Sequence, residues 1–356
     1  MDVWYGFYQP FGHIGKPQRW VNILGKIINL TSITTMQYEL NGSDAVSLDI
    51  GPNACTTSDP NCRLASAGDF NADIPADIPD TDLDEGLNKV VLTAVGTEGT
   101  VVKTVLVDYI SGRTWPLPYT VDWSTLSSAD EINTVAQVVD GKWEIVDGKL
   151  HIAEPGYDRI VAIGDMTTWQ DFEIEVPVTI HDMQPFSTKD STASVVTRWK
   201  GHYDWSSKFT DPRPYDGWWP FGGLHFYFHE AGGAKKRIGI EGNKSKKLCI
   251  EGYDCPAGSE DNRTNFDTTL FASSGDVTYW YKAQVESRDG DTSLYRFKAW
   301  EQGTEEPANW NAVGQGFAGG YLGADDPEGE LENGSALLLS YNSNISFGPV
   351  TIRPLP

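Results

Sequence analysis

No stretch of this 356-residue chain stays apolar for the roughly 18 residues that a membrane-spanning helix needs. Basic residues are scarce as well: 27 Lys and Arg stand against 50 Asp and Glu, a formal net charge of −23. A field of that sign repels nucleic acid and anionic lipid. Neither nucleic acid binding nor membrane insertion is therefore expected, and partners should be neutral or locally matched in charge. Helical periodicity over any useful length is missing too. The chain opens Met1-Asp-Val-Trp4 without the charged and apolar segments of a signal peptide, and Met1 is read as standing in for a removed leader.

Cysteine is sparse and oddly spaced. The four cysteines form two close pairs, Cys55/Cys62 and Cys249/Cys255, and neither pair has the C-x-x-C spacing of zinc or redox sites. Two local disulfides in a secreted or cell-surface protein, extracellular or periplasmic, are the expectation. Four cysteines allow three connectivities, and the spacing alone does not select one.

What is plentiful points to strands and turns: 36 Gly, 20 Pro, 13 Trp and 15 Tyr. In residues 1–113 the segment Met36-Gln-Tyr-Glu-Leu40 alternates and ends at Asn41-Gly42, a strong hairpin signal. Asn88-Lys-Val-Val-Leu-Thr-Ala-Val95 and Val101-Val-Lys-Thr-Val-Leu-Val-Asp-Tyr109 flank a Gly-rich turn. These strands resemble a bacterial immunoglobulin-like module, a resemblance that implies a β-sandwich which spaces or presents its neighbour. Trp4, Tyr5, Phe7, Tyr8 and Phe11 are expected to pack against that module or the adjoining domain. Residues 114–119, Thr114-Trp-Pro-Leu-Pro-Tyr119, read as a Pro-rich rigid linker.

From residue 120 to 356 the strands are longer and evenly spaced, and an all-β sandwich or jelly roll is expected. Lys149-Leu-His-Ile152, Asp171-Phe-Glu-Ile-Glu175, Tyr279-Trp-Tyr-Lys-Ala-Gln-Val-Glu286, Leu294-Tyr-Arg-Phe-Lys-Ala-Trp300 and the closing Phe347-Gly-Pro-Val-Thr-Ile352 carry a second resemblance. In that order they resemble the laminin-G-like, or concanavalin-A-like, jelly-roll superfamily. The resemblance implies a curved sheet whose concave face and bordering loops hold a glycan, in a superfamily of lectins, carbohydrate-binding modules, glycoside hydrolases and polysaccharide lyases. Many members hold a structural calcium. Asp122, Asp171, Asp325 and Asp326 are its candidate ligands here, and no other cofactor is expected.

One stretch concentrates the candidate chemistry. Ala193 to Trp205 and Tyr215 to Glu230 read as two strands around a long aromatic loop, holding Trp199, Trp205, Trp218 and Trp219 with three of the six histidines, His202, His225 and His229. Alternation through Leu224-His-Phe-Tyr-Phe-His229 puts Leu224, Phe226 and Phe228 on one side, the expected core side. His225, Tyr227 and His229 then face outward, and Arg198 and Lys200 join them if Val195, Thr197 and Trp199 face inward. Sugars stack on indole faces and take hydrogen bonds from such groups, so this set is the expected carbohydrate-binding site.

The alternative function is an enzyme of the same fold. As a lyase it would draw on Tyr227, His225, His229 and Arg198. As a hydrolase it would use Glu173 and Glu175, on one strand face about 6–7 Å apart by strand rise. An adhesive or structural surface protein is the other alternative. Arg296, Lys298 and Trp300 share a face, as do Lys282, Gln284 and Glu286, but alternation does not say to which side of the sandwich either set belongs.

Overall fold

A computed structural model describes residues 1–30, 32–52, 63–76, 83–202, 221–233, 235–242, 263–267, 271–288, 292–317 and 331–356, with the backbone alone for 263–267 and 315–317. Cys55, Cys62, Cys249 and Cys255, the residues of the two expected disulfides, all lie outside the described residues. Trp205, Trp218, Trp219, Asp325 and Asp326 also lie outside the described residues.

The N-terminal strands are β1 (Asp2–Val3), β2 (Tyr8–Phe11), β3 (Trp20–Lys26), β4 (Ile33–Leu40), β5 (Val46–Ser47), β6 (Asp69–Pro75), β7 (Gly86–Gly96) and β8 (Gly99–Tyr109). They form a three-stranded sheet, β1-β3-β6, and a five-stranded sheet, β2-β8-β7-β4-β5. Between them lies a core that includes Ile23, Phe70, Val90, Leu92, Val105 and Val107. The expected turn at Asn41-Gly42 forms because both residues take positive φ, 51° and 84°, and Ser43 N–H closes onto Leu40 O at 2.8 Å.

The later strands are β9 (Tyr119–Val121), β10 (Gln137–Asp140), β11 (Trp143–Val146), β12 (Lys149–Ile152), β13 (Arg159–Ile163), β14 (Phe172–Asp182), β15 (Ser191–Trp199) and β16 (Gly223–His229). They continue with β17 (Lys236–Gly242), β18 (Arg263–Asp267), β19 (Ser274–Arg288), β20 (Thr292–Glu301), β21 (Ala312–Phe317), β22 (Ser335–Tyr341), β23 (Asn344–Phe347) and β24 (Val350–Pro354). Helix among the described residues amounts to three short 3₁₀ turns, so the chain is all-β.

These strands build two antiparallel sheets. One has seven strands in the order β10-β13-β22-β15-β16-β17-β18. The other has nine: β11-β12-β23-β14-β19-β20-β21, with β24 on β14 and β9 on β24. The core between them takes Val161, Leu338, Val195, Tyr227 and Ile240 from the first, and Ile174, Val176, Tyr281, Phe297 and Phe347 from the second.

The N-terminal strands are bound to this sandwich by buried polar contacts. Tyr5 Oη donates to Gly141 O at 2.7 Å and accepts from Trp143 N at 2.8 Å. Tyr5 and Leu24 belong to the sandwich core, and Trp4 packs on it; Phe11 joins the N-terminal core, while Phe7 and Tyr8 are exposed. Arg63 reaches Asp140 Oδ2 at 2.5 Å and Val139 O at 3.1 Å, with both charged side chains 1% exposed. The connection at 114–119 is packed too: Trp115 is buried and its carbonyl accepts from Trp169 Nε1 at 2.9 Å.

Removing one partner from a buried ion pair strands the other charge without water, at about 3–5 kcal/mol. Arg63→Ala should therefore lower stability by that amount, read as a reduced urea midpoint. Exposed Arg353→Ala should change it by less than about 1 kcal/mol.

Candidate functional site

The described residues of the 193–229 stretch, 193–202 and 221–229, serve the interior. All nine residues of β15 are buried, as are Arg198, Trp199, His202, His225, Tyr227 and His229. The face assignment of β16 is the reverse of the expected one. His225 packs against Tyr295 and Phe297 of the nine-stranded sheet, with ring centroids 6.2 and 5.8 Å away, and Tyr227 stacks on Phe271 at 4.6 Å. Leu224 and Phe226 point the other way, into an apolar cluster with Val139, Ile160, Val196 and Leu339. Both faces of the seven-stranded sheet are apolar and buried at these positions. Period-2 alternation carries no inside–outside information for a strand buried on both faces.

Arg198 explains itself as a clasp. The ladder between β15 and β22 slips between Val196 and Trp199, and Arg198 takes φ +54°. A bulge of this kind re-aims a side chain. Its guanidinium is 1% exposed and fully engaged: Nε with Gln170 O (3.0 Å), Nη1 with Ser293 Oγ (2.6 Å) and Leu331 O (2.5 Å), Nη2 with Asp171 Oδ1 and Ser287 Oγ (both 2.7 Å). These partners include β19 and β20 residues, so one cation ties the two sheets together. Trp199, packed edge-on to His202 at 5.2 Å, fills the outer apolar cluster.

The two described calcium candidates, Asp122 and Asp171, hold hydrogen-bonding roles of their own. Asp171 Oδ1 already accepts from Arg198 and from the N–H and hydroxyl of Ser287, while Asp122 Oδ1 caps Ser124. Among the described residues no three His, Cys, Asp or Glu side chains cluster as metal ligands.

The outward chemistry lies on the far side of the nine-stranded sheet. Register builds it. Across β14, β19 and β20, Glu175 faces Lys282, which faces Lys298; Glu173 faces Gln284, which faces Arg296; Pro177 faces Trp280, which faces Trp300. Trp280 and Trp300 stack with centroids 6.3 Å apart and planes 19° apart, both partly exposed. Lys282 and Lys298 stand directly opposite each other, a repulsive placement. Glu306, from the connection after β20, relieves it by bonding Lys282 Nζ at 2.8 Å and Lys298 Nζ at 2.5 Å. Lys282 also reaches Glu175 at 2.8 Å and lies over the Trp300 ring; Lys298 lies over Trp310. Arg296 bonds Glu286 and Gln284, and Gln284 donates to Glu173 at 2.6 Å.

Burial pulls the Lys282 ammonium down, but its hydrogen bonds to Glu175 and Glu306 outweigh that and raise it. Hydrogen bonds from Lys282 and Lys298 hold the Glu306 carboxyl below its usual range. The result is a rigid band of indole faces and fixed donors and acceptors. Glu173 and Glu175 do share a face, as alternation required, but each is already bonded to a neighbour, which sets neither apart as a proton donor.

Several residues of this band were out of reach of the sequence. Trp280 and Trp300 meet only because of the β19–β20 register, and Glu306 and Trp310 come from an irregular connection with no motif.

No family model matches the chain, and no curated protein matches it. Among solved structures it resembles an alginate lyase, Aly36B, a double mutant in complex with alginate tetrasaccharide: 12% identity, 67% of this chain and 98% of that one, TM-score 0.34. The metal-free exoplasmic/lumenal domain of VIP36 gives 10% identity over 68% and 93%, with a TM-score of 0.36. The CBM2 module of the evolved Dit of Lactobacillus casei BL23 phage J-1 gives 11% over 60% and 79%, with a TM-score of 0.30. At TM-scores this low, what the face can do follows from its own residues.

The buried histidine offers a test of its interior placement. Burial pushes His225 down to about 3 from its usual 6.5. Between those values the unfolded chain binds a proton that the folded chain refuses. His225 is therefore harmless above pH 6.5, and stability falls as pH drops below it. His225→Gln should remove a dependence of about 1.4 kcal/mol per pH unit between pH 6 and 4, measured as the difference in urea stability from the parent chain. An outward-facing His225 would leave the two slopes equal.

Proposed function

We propose that this chain is an exported carbohydrate-binding protein that holds a polysaccharide on the outer face of its nine-stranded sheet. The observation that carries this reading is the stacked Trp280–Trp300 pair set among Lys282, Gln284, Arg296 and Lys298. An indole face covers the flat C–H side of a sugar, and fixed polar groups beside it take the hydroxyl rim. Partial burial and mutual bonding hold these side chains in place before a ligand arrives, so less conformational entropy is lost on binding. The chain carries −23 overall, yet here the cations Lys282, Lys298, Arg296 and Arg353 match the carboxylates Glu173, Glu175, Glu286 and Glu306.

In the same proposal, residues 120–356 are a concanavalin-A-like or laminin-G-like jelly roll, and residues 1–113 an immunoglobulin-like module joined through 114–119. Binding is favoured over degradation by lyase chemistry at Tyr227 and His225, because a side chain sealed between two sheets cannot reach the proton beside a uronate.

Affinity gel electrophoresis across a panel of polysaccharides tests the reading. The parent chain should be retarded by at least one. Trp300→Ala and Trp280→Ala should each weaken that retention about tenfold, roughly 1.4 kcal/mol, with unchanged unfolding midpoints. Retention that survives both substitutions would remove the face from consideration. A rise in unsaturated-uronate absorbance would favour the lyase instead.

A further inference from the structure

Two histidines outside the 193–230 stretch, His151 and His181, meet on the same outer face. His151 on β12 and His181 on β14 pack edge-on with centroids 5.1 Å apart, and Ser346 of β23, only 3% exposed beneath the two rings, lies between their strands. His181 Nδ1 is 2.5 Å from Asp276 Oδ1, and its Nε2 is 2.7 Å from Ser346 Oγ. His151 Nδ1 is 3.0 Å from the same Oγ.

A carboxylate only accepts, so Nδ1 of His181 carries a hydrogen, and in the neutral form of the ring Nε2 is the acceptor. In that form Ser346 O–H donates to His181 Nε2, and its lone pairs receive His151 Nδ1–H. Burial, then the neighbouring His181, pushes His151 down, consistent with a neutral ring there.

Local structure produces this constellation. The β14 ladder slips between Ile180 and Asp182, which leaves His181 without a register partner at the irregularity. Gly275 and Asp276 take φ of 101° and 60° at the start of β19, which brings the Asp276 carboxylate to His181. Ser346 faces Thr179 on one side and His151 on the other. Lys149, two residues before His151, reaches across β23 to bond Thr179 Oγ1 at 2.9 Å. Its ammonium thus sits in the row that contains Ser346.

We propose that Ser346, His181 and Asp276 form a nucleophilic acyl-transfer site that hydrolyses a small O-acyl ester. The carboxylate–imidazole–hydroxyl order of hydrogen bonds is the one that activates a serine, and it is recognised by geometry and not by sequence position or fold. In the first step Ser346 Oγ attacks the acyl carbon and its proton passes to His181 Nε2. The bond from the acyl carbon to the alcohol oxygen then breaks, and that oxygen leaves with the proton from His181. Water repeats the sequence on the acyl-serine: it gives a proton to His181, its oxygen bonds the acyl carbon, and Ser346 Oγ leaves with the proton, releasing the carboxylic acid. Asp276 holds the ring tautomer throughout, and the Lys149 ammonium offsets charge developing on the acyl oxygen. This site stands without the carbohydrate reading.

The test uses the full chain with a fluorophosphonate, which phosphonylates an activated serine, and with p-nitrophenyl acetate. One phosphonate should be found by intact mass and mapped to Ser346, and ester turnover should exceed buffer. Ser346→Ala and His181→Ala should abolish both. Asp276 is 77% exposed and sits at a positive φ that Asn tolerates, so Asp276→Asn should fold normally and label at least about 100-fold more slowly. A chain that stays unlabelled, labels at another serine, or reacts at the same rate as Asp276→Asn would overturn the assignment. In each of those cases Ser346 is a hydrogen-bonding residue only.

Discussion

Everything here follows from one sheet being covered twice. The seven-stranded sheet packs on its partner sheet through one face and on the other buries a second apolar cluster of its own side chains, Trp199, Leu224, Phe226 and Leu339 among them. At roughly 25 cal/mol per Å² of apolar surface, a strand of alternating large side chains gains on both faces. The polar members of those strands, His225 and Arg198 among them, then lie in the interior and must find partners there or stay neutral. Charged and indole groups that meet solvent together are found across the other sheet.

Two buried arginines hold the arrangement in register. Arg198 bonds β19 and β20 residues from a bulge in β15, and Arg63 reaches from the N-terminal strands to Asp140 on β10. Each is a point where a cation has been taken out of water and given nearly all the acceptors it can use. Such pairs add less net stability than an equal apolar volume would, but they penalise any other alignment of the pieces. The outer face of the nine-stranded sheet inherits that rigidity, since Arg198 anchors two of the strands that carry its tryptophans and charges.

The all-β character was legible in the sequence, and so were most strands: the Asn41-Gly42 turn and the β7–β8 hairpin lie where alternation and turn residues put them. Placing the site was harder. Strand parity can be read when one face is wet, as in Glu173 and Glu175, which do share the outer face. It fails for Leu224 to His229, because both sides are dry and the apolar triple is no better a core face than the His/Tyr/His triple. A count of histidines pointed to 202–229, whereas the two that touch across strands, His151 and His181, lie thirty positions apart and meet only through sheet order. Trp280 and Trp300 are similarly joined by register and not by any motif.

Hydroxyl-radical footprinting of the tryptophans, with and without a retained polysaccharide, bears most directly on which face meets the ligand. Trp280, Trp300 and Trp310 should oxidise readily in the free chain and be protected when the glycan is bound, while Trp199 stays unoxidised in both states. Ready oxidation of Trp199, with protection there and none at Trp280 and Trp300, would contradict the account.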